Sequence, residues 1–425
     1  MVSSAAKKQQ IKQTLQTTKA RRKTQVCRVY ELKITKGKLS PRSRAYLARL
    51  FIEGKWFYNW IISQEDVFAV DTKIKTIPVK VGEEFEDRPL TYLSSQMKQG
   101  LVTKTQHSIR ALAKLKANGY KVGGLRYKRQ IASIPLKQYG ITYRLFPDQQ
   151  KIQIQGLRDF IRVRGFDQIS PDVEYANAHL ILRHGDYYLH VTTYQPKENQ
   201  QVPPFRAIGL DFGLSHQLTF SNGVALGFQI LLPKRLRRLY QLFSRTEKGS
   251  RNHYKARQRL LKAFQQHTNR KREVHNQIVG YLRRHYQIVC FQNDPFPAWQ
   301  RLWGKKMMNL SLGAIKQILK ERIGSPSEVP LSFASSQWCS GCQKQKQKIS
   351  LEERTYHCPT CGLIINRDYN AAQNILREGL THLGTEPPEV TPAEIESSTQ
   401  AMLAFFQKLP FVCASLVSEP GSPLL

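Results

Sequence analysis

Two Cys-x-x-Cys pairs, CSGC at 339–342 and CPTC at 358–361, stand fifteen residues apart. Four thiolates at that separation can meet tetrahedrally on one ion, each pair supplied by a tight knuckle turn. Gly341 and Gly362 suit those turns. The expected ligands are Cys339, Cys342, Cys358 and Cys361, and the expected ion a structural zinc, although iron also accepts four thiolates. His357 adjoins Cys358, but a completed four-sulfur set leaves it no vacancy. Cys27, Cys290 and Cys413 are scattered, a usage that suits a reducing compartment and metal binding rather than disulfides.

Carboxylates form the second group. AIGLDFGL (207–214) reads as an apolar strand delivering Asp211, with Gly213 for a tight turn behind it. A hairpin through LTFSNGVAL follows, turning at Ser221-Asn222-Gly223. An RNase-H-like sheet opens this way, but so do sugar-kinase-like ATPases, and structural aspartates are common. INRDYNAAQNIL (365–376) starts a helix just after the second knuckle, where Asn370, Ala371, Ala372 and Ile375 can pack closely on a sheet. Asp368 lies near the positive end of that helix dipole; a plain N-cap is the blander role. IVCFQNDPFPAW (288–299) reads as a buried strand that ends in Gln292, Asn293 and Asp294 before Pro295.

GLDFGL, CSGC…CPTC and NRDYNAAQNIL stand in the order and spacing of the TnpB family, OrfB-type insertion-sequence proteins related to type V CRISPR effectors. The chain resembles the family over 26–378 in outline and most specifically over 206–376, and is most similar to its cyanobacterial-type members. The resemblance implies an RNA-guided, Mg²⁺-dependent DNA endonuclease associated with a transposable element. Its implied partners are a guide RNA from the element end and a double-stranded DNA target bearing a short adjacent motif. The implied fold is α+β and multidomain: an N-terminal wedge β-barrel with a helical insertion, then an RNase-H-like RuvC α/β domain interrupted by the four-Cys zinc ribbon.

Such chemistry uses three carboxylates to hold two Mg²⁺ ions about 4 Å apart. By motif match Asp211 is the first and Asp368 the last. The middle one is normally a Glu in a stretch like V-V-F-E-N-L, and laid on VCFQND it falls on Gln292. An amide supplies no anionic bridge, which leaves a nuclease-inactive RNA-guided DNA-binding protein as the alternative. Asp294, two residues on and on the same face of an extended chain, restores the set through a small bulge. Cyanobacterial-type members read like FQNEN here, which places the acid at Asp294. Glu328 in SPSEVPLSF is the other candidate, since some relatives carry the acid just before the first knuckle; the position nearest that acid is here Ser332. The adopted set is Asp211, Asp294 and Asp368, catalytic and magnesium-binding. Arg367 either contacts the scissile strand or pairs with an acid. Single-strand transposition would need a His-hydrophobe-His pair, and no His-x-His occurs, so the link to transposition and DNA recombination carries no strand-transfer chemistry of its own.

The charge balance agrees with a polyanionic partner: 66 Lys plus Arg against 31 Asp plus Glu give a net +35. A ribosome-associated protein or an unguided zinc-ribbon module would share that signature, though the latter leaves Asp211 and Asp368 unexplained. No run approaches the roughly 18 apolar residues of a membrane span and no leader is evident, so the expected location is cytoplasmic, nucleoid-associated and bacterial, with no membrane partner. The oligomeric state is not legible.

The elements that must position these groups read as follows. Residues 1–25 form a mobile basic arm, with seven basic residues and no acid up to position 24. Residues 26–200 form the barrel, with the helical insertion at about 40–130: a strand at 26–34, a helix to Ile62 opened by Ser40-Pro41, a helix over 94–117 ended by Gly119, and a hairpin around His184-Gly185-Asp186. Within GLRYKRQ, Arg126 and Lys128 flank Tyr127 and suit nucleic-acid contact. A Pro-rich linker spans 195–205. Residues 206–335 form the first nuclease part, including basic helices at 234–285, with 16 Lys or Arg against two acids. Arg235, Arg238 and Arg270 there are expected to track a phosphate backbone. The ribbon covers 336–364, the second nuclease part 365–380 and an acidic tail 381–425, the last with a short amphipathic helix.

Overall fold

The computed structural model describes residues 4–197, 202–228, 230–347, 350, 352–385 and 391–417. They fall into two units, 1–199 and 200–425. The linker expected at 195–205 lies partly outside the described residues.

The first unit runs α1 (Ser4–Lys23), β1 (Gln25–Ile34), α2 (Pro41–Ser63), β2 (Thr76–Val81), β3 (Glu84–Pro89), α3 (Ser95–Ala117), β4 (Ser133–Leu136), β5 (Tyr143–Phe146), β6 (Lys151–Ile154), β7 (Ile161–Arg164), β8 (Glu174–Arg183) and β9 (Asp186–Pro196). Its main sheet has the order β4-β8-β9-β1-β7-β6-β5. The two edges curl toward each other: the Tyr143 hydroxyl on β5 donates to the Ala176 carbonyl on β8 at 3.0 Å. The sheet is therefore nearly closed. Ser40 caps α2 through the Ser43 N–H and Ser94 caps α3 through the Met97 N–H, while Gly119 takes φ +82° after α3. Leu47, Leu50, Phe57 and Ile61 line one face of α2 and enter a core with Ile134, Leu180 and Leu189. The segment between the helices, left open by the sequence, holds the β2–β3 hairpin. It is clamped by Glu53, whose buried carboxylate accepts the N–H groups of Thr91, Tyr92 and Leu93 at 2.7–3.0 Å.

The arm expected to be mobile is helical over Ser4–Lys23. Its last turn is tied to β8, where Arg21 and Arg22 pair with Glu174 at 2.7 Å. Without an apolar stripe the arm offers no helical period to read.

The second unit runs β10 (Phe205–Phe212), β11 (Leu218–Phe220), β12 (Val224–Gly227), α4 (Lys234–Ser244), α5 (Arg251–His285), β13 (Tyr286–Gln292), α6 (Phe296–Leu310), α7 (Leu312–Arg322), β14 (Ser325–Val329), β15 (Thr355–His357), β16 (Ile364–Asn366), α8 (Arg367–His382), α9 (Pro392–Phe406) and β17 (Cys413–Leu416). Its main sheet has the order β14-β13-β10-β11-β12-β17. β10, β13 and β14 are parallel; β11 and β12 extend the sheet antiparallel through the expected turn.

Helices cover both faces. On one, Leu210 and Phe291 pack with Ile278 and Leu282 of α5, Leu319 of α7 and Phe406 of α9. On the other lies α8, admitted by two glycines. A Cβ on Gly209 of β10 would collide with the Ala372 carbonyl, and one on Gly379 of α8 would stand 2.7 Å from the Cys290 Cβ. The C-terminal segment does more than the tail expected of it. Beyond α9, β17 pairs with β12 and forms the sheet edge, and Thr399 donates to the Asn222 carbonyl at 2.8 Å. Among the described residues no helix is long and apolar enough to cross a membrane.

Candidate functional site: an aspartate cavity beside a four-cysteine cluster

The four sulfurs of Cys339, Cys342, Cys358 and Cys361 all lie within 4.8 Å of one another. Cys339 and Cys361 are 3.6 Å apart, Cys342 and Cys358 3.5 Å. A tetrahedral ion with bonds of about 2.3 Å needs sulfur–sulfur edges of about 3.8 Å, so the set is compatible with structural zinc. Each pair sits in a turn: Gln343 N–H donates to the Cys339 carbonyl at 3.0 Å, and Gly362 N–H to the Cys358 carbonyl at 3.1 Å. Gly362 takes φ +74°, as its turn requires, whereas in the first knuckle the left-handed residue is Gln343 at φ +56° rather than Gly341.

The cluster is wired to α8. Asn370 accepts the Ser340 N–H at 2.9 Å and donates to the Trp338 carbonyl at 2.7 Å. Asn374 donates to the Trp338 and Ser335 carbonyls at 2.7 and 2.9 Å. Sequence reading gave Asn370 only a packing role and missed Asn374; two buried amides one helical turn apart were the available signal.

Three elements bring the expected aspartates to one cavity of about 460 Å³, lined by Asp211, Asp294 and Asp368 together with Gln292, Arg354 and Arg367. Asp211 comes from the end of β10, Asp294 from just past β13, and Asp368 from the first turn of α8. The N-cap of α8 is Asn366, whose side chain accepts the N–H groups of Asp368 and Tyr369. Capping therefore does not account for Asp368. Arg367 Nε stands 3.6 Å from its carboxylate. Burial, and then the charges of Asp368 and Asp294, hold the Asp211 carboxyl well above the usual range, with Arg367 opposing. Burial pushes Asp294 up to about 7 against the pull of Lys316, and its Oδ2 is buried without a hydrogen-bond partner. An Asp211 carboxyl raised by burial and by its neighbours' charges, beside an Asp294 oxygen without a partner, is a donor set that a divalent cation would relieve. Among the described residues only the cysteines already converge as a ligand cluster; the aspartates share a cavity.

Gln292 is engaged in structure. Its Nε2 donates to the carbonyls of Phe333 at 2.5 Å and Pro330 at 3.3 Å, and its Oε1 accepts from Ser335 Oγ at 2.9 Å. Glu328 is turned away from the cavity. It pairs with Phe291 across the β13–β14 ladder, so it shares the face that looks to α7. There its carboxylate is held by Lys316 at 3.1 Å and Lys320 at 2.5 Å.

The expected nucleic-acid contacts are mostly exposed. Arg126 and Lys128 occupy an irregular segment after α3, where the Lys128 ammonium lies 4.1 Å from the Tyr58 ring centroid. Arg235 and Arg238 project from α4. Arg270 on α5 lies 5.9 Å from the Phe411 ring centroid. Arg367 alone of the six lines the aspartate cavity.

A mixed α/β unit with an aspartate-lined cavity and an attached four-cysteine cluster is thus the class the geometry defines. Residues 315–375 match the family model described as Cas12f1-like, TNB domain. A Streptomyces pristinaespiralis protein provisionally named an RNA-guided DNA endonuclease is 28% identical over 188 residues, 41% of this chain and 45% of the relative. The matched segment thus spans less than half of that relative's length. Among solved structures, a Cas12f1-sgRNA-target DNA complex matches at a TM-score of 0.46 and 14% identity, covering 83% of this chain and 99% of that one. A CRISPR-Cas12f ternary complex matches at 0.28 and 16%, covering 70% and 71%. The family model and the curated relative support a TnpB/Cas12f-type family member.

Proposed function

We propose that the chain is an RNA-guided, Mg²⁺-dependent DNA endonuclease associated with a transposable element, its guide RNA drawn from the element end. Residues 206–335 and 365–380 form an RNase-H-like, RuvC-type nuclease domain interrupted by the ribbon at 336–364, and 26–200 form the wedge barrel with its recognition insertion. The carrying observation is that Asp211, Asp294 and Asp368, from three separate elements, line one cavity while Asn366 relieves Asp368 of capping. These carboxylates would hold the magnesium, which when bound supplies an activated water and stabilises the leaving oxygen. Arg367 and Arg354 line the same cavity and suit the scissile phosphate. Zinc on the four thiolates fixes the ribbon, and the Asn370 and Asn374 bonds transmit that order to the start of α8.

A second reading, a guided DNA-binding protein that does not cut, draws on Gln292 at the position where the family usually carries Glu. The deciding experiment is cleavage of a plasmid library with randomised flanks by the protein purified with its co-expressed RNA, in Mg²⁺ and in EDTA. The nuclease reading expects Mg²⁺-dependent cuts at one flanking motif, lost in Asp211→Ala and Asp294→Ala. RNA-dependent binding without any cut would instead establish the binder.

A further inference from the structure

Helix α6 starts two residues after Asp294 and carries Phe296, Trp299 and Trp303 at helical spacing. The three rings differ in burial. Phe296 is buried edge-on against Phe212, centroids 5.2 Å apart. Trp299 packs against Phe296 at 5.3 Å and stands perpendicular to Trp303 at 6.1 Å and 89°. Trp303 itself is 38% exposed. A core-filling indole would be buried; this one, with Trp299 and Lys306, lines the aspartate cavity. The helix then breaks at Gly304, at φ +32° and ψ −103°, so the exposed ring ends its first segment.

We propose that Trp303 is a stacking platform for one unpaired base of a single strand entering the aspartate cavity, with Trp299 as its buttress. The inference rests on the nuclease reading and deepens it by naming the residue that positions a base of the strand at the site. In a duplex both faces of every base are already stacked on neighbours, so an isolated indole finds a free π-face only on an unpaired strand. Charge complementarity selects the same occupant, because Lys306, Arg354 and Arg367 line the cavity beside the ring. A stacked base contributes about 1–3 kcal/mol, or roughly 5- to 150-fold in affinity.

The test uses the full chain with its co-expressed RNA, in EDTA so that cutting is not required. Binding of a single-stranded DNA oligonucleotide is compared with a series in which one abasic site is moved along the strand. Trp303→Ala is expected to weaken binding of the intact strand by on the order of tenfold. Trp303→Phe should restore most of it. One abasic position should reproduce the loss in the wild type and add nothing in Trp303→Ala. Duplex DNA lacking the target should bind both proteins equally. Equal single-strand affinity of wild type and Trp303→Ala overturns the proposal, as does a loss that no abasic position reproduces. If the abasic pattern appears but Mg²⁺ elicits no cleavage, the stacking role stands and the nuclease reading fails; cleavage without the pattern gives the reverse.

Discussion

The backbone N–H of Asp368 donates to the Asn366 side chain at 2.9 Å, so the residue two places before the acid caps α8 and leaves the carboxylate to the cavity. The roles of the two residues are therefore separable. Asn366→Ala should cost about 1 kcal/mol, a drop of roughly 2–4 °C in Tm for a unit of this size. Asp368→Asn removes no cap and lessens the repulsion felt by Asp211, so its Tm should be unchanged or higher. Its cleavage should nevertheless fall on the order of 100-fold or more. Thermal melts and cleavage rates on both variants decide this. A clear drop in the Tm of Asp368→Asn would return that acid to a structural role.

Removal of the ribbon ion should reach the aspartates through two amides. Asn370 and Asn374 bond the Trp338–Ser340 backbone, and Asp368 lies half a turn before Asn370. Cys358→Ser or a strong zinc chelator should therefore release about one zinc per chain and abolish cleavage together. Asn370→Ala should retain the zinc, measured by elemental analysis, while cleavage drops about 10- to 100-fold. Full activity in Asn370→Ala would show that the ribbon and α8 act independently.

Acid should destabilise the second unit through a histidine remote from the cavity. Burial, with Lys271 nearby, lowers His275 to about 4, against an accepting backbone contact at Leu310 that raises it; the ring lies 5.9 Å from Phe228. A histidine depressed in the folded state adds stability in full above its unfolded value of about 6.5. That stability is lost as pH falls toward about 4. Denaturant melts between those limits should show a steep loss, and His275→Gln a flatter profile. An equally steep acid limb in the variant would assign the loss to another group.

Much of this was legible from local chemistry. Ser40 and Gly119 bounded helices where capping rules place them, and the four cysteines converged as their spacing requires. What stayed hidden depends on contacts distant in sequence. That α8 seats on β10 is decided by Gly209 meeting the Ala372 carbonyl, a pairing no window of sequence contains. Glu328 looked available as an acid near the first knuckle; strand register and two α7 lysines turn it to the other face. The edge strand β17 is four residues of CASL, too short for an alternating pattern, and it acquires its meaning only from β12.

The sharpest test concerns Gln292, because its amide is used as an amide. Its Nε2 donates to the Phe333 and Pro330 carbonyls, so Gln292→Glu would set a carboxylate oxygen against two carbonyl oxygens and orphan both acceptors. The change to the family's usual residue should therefore lower stability by about 1–3 kcal/mol and leave cleavage no faster than in the wild type. Asp294→Asn should behave in the opposite way. Its Oδ2 has no partner to lose, so Tm should hold, while Mg²⁺-dependent cleavage disappears. The two variants differ from the wild type by one amide–carboxylate exchange each, made in opposite directions two residues apart. Should Gln292→Glu gain activity, or Asp294→Asn keep it, the middle carboxylate is not Asp294.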